Sequence, residues 1–421
     1  MPKTNSPAQP HLSAALQTAN RIQGMGVSRI LQLAQLAREL REDGVPVVDL
    51  SAGQPDFDTP LNIRDAAKVA IDMGETRYTA LDGTVALKDA IRHKFRTDNG
   101  LEFERAEVMA GAGAKQLLFN AFMATLNDGD EVILPTPCWL SYFDIVKVAG
   151  GVPVSVCGSL ETRYKINPDQ LRAAITPKSR WILLNSPSNP SGAVYSEDEL
   201  AALLEVVAEF PNLWVMADDV YEHIRFGNAR FATPLAVRPD LRDRILTVNA
   251  VSKAFAMTGW RLGYAAGPAA LIKSMSIIQS QSTSNPSSIS QAAAVEALTG
   301  PKDFLATARD TYTRRREILF NGLNRIKGIE AKPPEGSFFA FVRVSELIGK
   351  YTPDGTGLIN DAALSTYLLE TANVVTVPGS EFGLSDHLRL SFAVADAEIK
   401  IALDNMATAI GTLVDKKETI T

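Results

Sequence analysis

The chain is poor in cysteine and histidine, with two Cys and four His in 421 residues. Cys138 and Cys157 make no disulfide framework for a protein of this length. His11, His93, His223 and His387 lie far apart, and neither HxxxH nor CxxC spacing occurs, which argues against a zinc site. An excess of positive charge is missing too. With 48 acidic against 42 basic residues, nothing draws the chain as a whole to nucleic acid or to an anionic membrane. No apolar run approaches the roughly 18–20 residues of a membrane span. Residues 1–20 carry Lys3 as their one cation and no apolar h-region, so no targeting segment is expected. The expectation is a cytoplasmic, enzyme-sized protein without a metal.

What is present is an ordinary globular composition, 46% apolar and 21% charged, which excludes a largely disordered chain. The length suggests roughly two or three domains' worth of core. Residues 1–15 are expected to be a polar, loose tail. Helical spacing runs over 16–42 (Ile30, Leu33, Leu36, Leu40), and Val45-Pro-Val-Val-Asp-Leu50 follows as a strand. Seven short apolar runs then stand out at 107–110, 131–134, 153–156, 181–184, 213–217, 245–248 and 262–265. Amphipathic stretches such as 114–126, 197–208 and 268–280 lie between them. That alternation predicts an α/β fold with a mostly parallel sheet covered by helices on both faces. After about residue 303 the pattern changes to a long helix (303–326), strands near 337–344 and 388–392, and helices near 362–372 and 395–414. A smaller α+β domain built from both chain ends is expected. The division is 16–60 as an N-terminal segment packing with the small domain, 61–302 as the large domain and 303–421 as the small one. The run Arg314-Arg-Arg-Glu317 is taken as a solvated helix face.

The most informative stretch is Asn249-Ala-Val-Ser-Lys-Ala-Phe-Ala-Met-Thr-Gly-Trp-Arg-Leu-Gly-Tyr264. It follows a strand, so Lys253 should occupy the loop at that strand's C-terminal end, where open α/β sheets bind ligands. A lysine amine becomes nucleophilic toward aldehydes when burial or nearby cations lower its pKa. Arg261 supplies a fixed cation for an anion such as phosphate. Any single lysine is far more often a surface residue, but other positions point the same way. Leu213-Trp-Val-Met-Ala-Asp-Asp-Val-Tyr221 is an apolar strand ending in two carboxylates. A buried Asp218 there needs a cationic or protonated partner, which a protonated heteroaromatic nitrogen would provide, with Tyr221 nearby. Asp219 is taken as a helix cap or surface turn. Leu184-Asn-Ser-Pro-Ser-Asn-Pro-Ser-Gly192 brings Asn189 to the same sheet edge. Gly111-Ala-Gly-Ala-Lys-Gln116 joins a strand to a helix, and its small residues would let a phosphate approach the helix N-terminus. It is no dinucleotide fingerprint, because Gln116 stands where the third glycine belongs. Trp139 offers a flat face to a ring.

Together these motifs resemble the class I/II, fold-type-I pyridoxal-phosphate aminotransferases, and among them the bacterial aspartate-aminotransferase-like subgroup. The likeness runs from Leu50-Ser-Ala-Gly-Gln-Pro-Asp-Phe-Asp-Thr-Pro60 through Arg77-Tyr-Thr-Ala80 to His387-Leu-Arg-Leu-Ser-Phe-Ala393. It implies a seven-stranded, mostly parallel sheet and pyridoxal 5′-phosphate as cofactor. It also implies that Lys253 carries the cofactor aldehyde and then moves the proton. Asp218 would keep the pyridine nitrogen protonated, Tyr221 and Asn189 would bond the ring hydroxyl oxygen, and Trp139 would stack on the ring. Phosphate would sit on Gly113, Ala114, Lys115, Ser252 and Arg261. Tyr78 would reach the phosphate of a second subunit, which implies a homodimer with shared sites. Arg389 would hold the substrate α-carboxylate, with Gly53, Trp139 and Asn189 around it.

Three positions where relatives place a cation for a second carboxylate are occupied here by Ser280, Met123 and Gly26. The expected reaction is therefore ping-pong transfer from an L-amino acid, leaning to a neutral or aromatic donor, to a 2-oxoacid. The alternatives are an aspartate/2-oxoglutarate enzyme with a relocated cation, or a β-eliminating lyase on the same fold. A transcription regulator would need a DNA-binding extension, for which the short N-terminal segment leaves little length.

Overall fold

The computed structural model describes residues 18–415, apart from residues 24, 27 and 28; the expected tail over 1–15 lies outside the described residues. Its strands, in chain order, are β1 (Val48–Asp49), β2 (Val108–Gly111), β3 (Glu131–Thr136), β4 (Val152–Cys157), β5 (Ser179–Asn185), β6 (Trp214–Asp218), β7 (Ile245–Ala250), β8 (Gly263–Ala266), β9 (Phe339–Arg343), β10 (Val374–Val375), β11 (Val377–Pro378) and β12 (His387–Ser391). The seven apolar runs of the sequence become β2 to β8, one sheet in the order β2-β8-β7-β6-β5-β3-β4. Strands β3 to β7 pair in parallel, and β8 runs antiparallel to both β2 and β7.

Strand periodicity explains how one sheet feeds two cores. Val132 and Leu134 pack with Leu117, Leu118 and Phe122 of helix Ala114–Thr125, whereas Ile133 faces the opposite layer. That second layer holds Leu87, Ile91 and Phe95 of helix Val85–Asn99 and Leu200, Leu203 and Leu204 of helix Glu197–Glu209. All six residues of β7 are buried, as expected for a strand covered on both faces. Local chemistry sets where the covering helices start. The Ser196 hydroxyl accepts from the Glu199 N–H at 3.2 Å, and the Glu199 carboxylate accepts from the Ser196 N–H at 2.8 Å. This capping box satisfies two donors that the first turn leaves free.

A second, antiparallel sheet has the order β11-β12-β9, and β1 pairs in parallel with β10, joining the N-terminal segment to the C-terminal part. Helices Asp303–Leu323, Asp361–Ala372 and Asp396–Gly411 close over a core that includes Phe338, Phe339, Leu364, Leu390 and Met406. Two expectations need correction. The helix expected over 16–42 is, in its described part, a 3₁₀ turn Asn20–Ile22 and a helix Arg29–Glu42; at Gln23 the backbone turns extended, with ψ 133°. The basic run at 314–317 is not simply a solvated face, for Arg315 is 6% exposed. Its guanidinium is bidentate to Asp56 at 2.7 Å on each branch and reaches Asp396 at 3.3 Å. Successive helical residues point about 100° apart, so Arg315 faces inward beside the exposed Arg314 and the half-buried Arg316, whose Nε donates to the Pro334 carbonyl at 2.7 Å. A buried guanidinium such as that of Arg315 requires its carboxylate partners.

Candidate active site

The C-terminal ends of β5, β6 and β7 carry Asn185, Asp218 and Ala250 side by side. They open into a cavity of about 300 Å³ that is also lined by Ala114, Lys115, Trp139, Asn189, Lys253 and Arg389. Lys253 does not sit in an open loop as expected. It lies in the one-turn helix Val251–Ala254, closed by the Phe255 N–H donating to the Val251 carbonyl at 3.2 Å. Burial, then the Arg261 and Arg389 charges, lower its ammonium to about 8, against the attraction of Asp218. Its Nζ donates to the Gly53 carbonyl at 2.6 Å. A lysine so placed is a reactive amine near neutral pH.

Asp218 is 3% exposed. Its Oδ2 accepts the Tyr142 hydroxyl at 2.6 Å, while Oδ1 is buried with no partner. Burial pushes the carboxyl up to about 6, opposed by the Tyr142 hydrogen bond, the Val220 N–H and Lys253. A buried carboxylate oxygen without a donor is costly, and a protonated ring nitrogen would satisfy it. Asp219, expected as a cap or surface turn, is instead 2% exposed, and burial drives its carboxyl well above the usual range. Continuation of the buried strand pair explains this, because the Asp219 N–H still donates to the Val248 carbonyl at 2.9 Å.

The anion cradle is built where β2 enters helix Ala114–Thr125. Gly113 precedes that helix with φ 92°, and a Cβ there would lie 2.6 Å from Arg261 Nη2, so only glycine permits the approach. Arg261, itself left-handed at φ 52°, donates to the Thr258 carbonyl at 2.9 Å. The free N–H groups of the helix start, the Ser252 side chain on the same cavity wall and this guanidinium make a phosphate-sized pole.

On the same cavity, Arg389 is 1% exposed between the Phe339 and Phe382 rings, 4.4 and 5.0 Å from their centroids. It donates to Asn189 Oδ1 at 3.1 Å and to the Ser51 carbonyl at 2.5 Å, and its Nε has no partner. Burial lowers its guanidinium to about 10, so it stays charged at neutral pH. Tyr221 is buried edge-on to Phe338 and Phe339. Trp139 lines the cavity with Lys115 Nζ 4.5 Å from its ring centroid. Burial and then Arg261 lower the Lys115 ammonium.

Thus the structure gathers Gly53, Ala114, Lys115, Trp139, Asn189, Asp218, Tyr221, Ser252, Lys253, Arg261 and Arg389 on one cavity, with Gly113 beside it. Tyr78 is not among them; it is 91% exposed and lines a separate surface depression with Thr76, Arg77 and Asn285. Sequence reasoning missed two residues. Tyr142 is the donor to Asp218, and Asn185 donates to the Asp218 carbonyl and accepts from the Asn189 N–H, both at 2.8 Å. Asn185 ends a strand as Asp218 does, which was the available signal; Tyr142, on a helix face, left none.

The donor set fits pyridoxal phosphate: an aldehyde-reactive lysine, a carboxylate oxygen awaiting an N–H, and an anion cradle closed by Arg261. Among the described residues no helix is long and apolar enough to cross a membrane. The family model "Aminotransferase class I and II" matches residues 45–406. The chain is 52% identical over 375 residues to an aspartate/prephenate aminotransferase of Cereibacter sphaeroides, covering 89% of this chain and 94% of that protein. A crystal structure of the aspartate aminotransferase from Rhizobium meliloti superimposes with a TM-score of 0.92 at 51% identity, over 95% of this chain and all of that one. The aspartate aminotransferase of Thermus thermophilus, solved with maleate, gives 0.88 at 38% identity, over 94% and 100%. Catalytic cavity, sheet order and sequence likeness agree, and the chain belongs to the class I and II aminotransferases, fold-type-I transferases that use pyridoxal phosphate.

Proposed function

We propose that the amino donor is aspartate, with a 2-oxoacid as acceptor, and that Lys115 binds the donor's side-chain carboxylate. The observation that carries this reading is the Lys115 ammonium over Trp139, inside the same cavity as Arg389 and Lys253. Ser280, Met123 and Gly26 leave three sequence positions without a cation. A cation elsewhere in the cavity removes the reason for preferring a neutral donor, because a second carboxylate then has a partner in a desolvated site. The names of the Rhizobium and Cereibacter relatives, and the maleate in the Thermus structure, support a dicarboxylate.

The cofactor, when bound, supplies an electron-accepting ring and an aldehyde carbon that holds the amino group between half-reactions. Lys253 Nζ, its ammonium lowered to about 8 by burial and by Arg261 and Arg389, would take the proton from the donor Cα and deliver it to the former aldehyde carbon of the cofactor. Asp218 Oδ1 would keep a proton on the ring nitrogen; Tyr142 orients that carboxylate, and Asn185 fixes the Asp218 backbone through its main-chain carbonyl. Arg389 binds the α-carboxylate, while Asn189, bonded to the same guanidinium, and Tyr221 orient the ring oxygen. One site serves both half-reactions, so the donor's 2-oxoacid leaves before the acceptor enters.

The working form is a homodimer in this reading. Leu61, Val69, Met73 and Tyr78 are 60, 59, 74 and 91% exposed on and after helix Leu61–Asp72, a surface that a second copy would cover. Steady-state comparison of aspartate, alanine, phenylalanine and leucine tests the donor, with 2-oxoglutarate and prephenate compared as acceptors. Aspartate should lead the others, and Lys115→Gln should cut its kcat/KM by about a hundredfold, about 2.7 kcal/mol, while sparing alanine. Equal losses for aspartate and alanine would remove Lys115 from the side-chain site.

A further inference from the structure

Behind the cavity lies a buried polar cluster that the reaction does not use, centred on Glu222. This side chain is 3% exposed, yet donors from four other side chains converge on it. Lys94 forms an ion pair with Oε1. Asn249 Nδ2 donates to the same oxygen at 3.0 Å, and His223 Nε2 stands 3.1 Å from it. Asn99 Nδ2 donates to Oε2 at 3.1 Å. The cluster is not a metal centre in waiting. Asp98, Glu222 and His223 do bring ligand atoms within 4.8 Å of one another, but the Lys94 and Lys302 ammonium groups already neutralise Glu222 and Asp98.

The positions of these partners show what the carboxylate joins. Glu222 lies four residues after Asp218, and its N–H closes the turn onto the Asp219 carbonyl at 3.0 Å. Asn249 is the penultimate residue of β7, and its Oδ1 accepts the Ala250 N–H at 2.7 Å, where the chain enters the turn that carries Lys253. Lys94 and Asn99 come from helix Val85–Asn99, which packs on the sheet from one side. One oxygen atom therefore ties the end of β6 to the end of β7, and both to a covering helix. A buried ion pair is a weak source of net stability, since an apolar pair of similar size is often as good or better. What it supplies is fixed direction, through hydrogen bonds that an apolar pair cannot make.

We propose that Glu222 is a positioning residue for the cofactor site: its bond to Asn249 holds the strand ends bearing Asp218 and Lys253 in the relation that the cofactor requires. The proposal rests on the assignment of those two residues to the cofactor. It applies whichever amino donor is used.

The test uses the full-length protein with two variants. The double variant Lys94→Met/Glu222→Leu replaces the ion pair by apolar groups of similar length. Asn249→Ala leaves that pair intact and removes the link to β7 together with the acceptor for the Ala250 N–H, so an effect shared with the double variant, which keeps Asn249, is the part due to Glu222. Each is measured for thermal stability, for the Kd of pyridoxal phosphate from the apoenzyme, for kcat and KM, and for the pH at which the bound cofactor changes colour. Both should weaken cofactor binding and lower kcat by about tenfold or more, with KM for the donor nearly unchanged, as expected when reacting groups are misplaced by a fraction of an ångström. The colour midpoint should move as well, which a purely structural loss in a folded protein would not cause. Should the double variant fail to fold, Glu222→Gln decides instead. Its amide keeps the side-chain shape while removing the charge and one acceptor that Lys94, His223, Asn249 and Asn99 share, and Asn249 keeps its bond to the Ala250 N–H. Folded variants with wild-type Kd, kcat and colour midpoint would overturn the proposal. Absence of the cofactor from Lys253 in the wild-type protein, found by reduction and peptide mapping, would instead overturn the site assignment on which it rests.

Discussion

Replacing Asp218 by Asn should make the cofactor-free protein more stable at neutral pH while destroying its activity. Asp218 is 3% exposed, and burial pushes its carboxyl up from an ordinary 3.8 to about 6. A carboxyl with a raised folded-state pKa binds its proton more tightly in the native chain than in the unfolded one. Stability is then greatest in acid and is lost as the pH rises from about 3.8 to about 6. The rise from 3.8 to about 6 corresponds to about 3 kcal/mol of stability that is mostly present at pH 4 and gone by pH 7.5. Asn cannot ionise and still accepts the Tyr142 hydroxyl, so the variant escapes this pH-dependent loss. Its amide N–H₂ at the partnerless Oδ1 position costs about 1–3 kcal/mol, but equally at both pH values. The difference in stability between variant and wild type should therefore become more favourable to the variant by about 2–3 kcal/mol between pH 4 and pH 7.5. Denaturant unfolding of both apoproteins at the two pH values measures it. With pyridoxal phosphate bound the order should reverse, because the ring N–H then satisfies the wild-type carboxylate. A difference that is flat with pH, or that moves the other way, would refute the claim that Asp218 is held against its own solvation to meet a cation.

Borohydride reduction of the holoprotein followed by peptide mapping should place the pyridoxyl group on Lys253, and a label on any other lysine would contradict the site described above. Hybrid dimers formed by mixing Lys253→Ala with Tyr78→Phe should recover part of the activity that each parent lacks. Tyr78 is exposed and does not line its own chain's cavity, so a fully active monomer would refute the shared site.

The large sheet was legible because its strands are short apolar runs closed by Gly, Pro and Asn, and parallel strands buried on both faces need little else. Asp218, Asn189 and Lys253 were legible for a related reason. Each is a polar residue at or beyond the end of such a run, where α/β sheets place their ligand sites. Asp219 and Arg315 were misjudged because sequence adjacency says nothing of which side a side chain faces once a neighbouring element packs on it. Asp219 is buried where its backbone continues the pairing with β7, and Arg315 turns inward to Asp56 and Asp396.

The linear order of residues determined the fold class, the anion-cradling glycine turn and the aldehyde-reactive lysine, since each depends on local pattern and on residue type at a strand end. Tertiary structure alone decided the partnerships. Tyr142 meets Asp218 across 76 positions of chain, Arg389 meets Asn189 across 200, and Lys253 meets Gly53 across 200. It also decided the direction of Lys115, which stands at the start of the helix at the phosphate cradle and lies with its ammonium over the Trp139 ring on the cavity wall. A side chain's residue type is written in the sequence, whereas its neighbours, its burial and so its pKa arise only when distant segments are packed together and water is excluded from between them.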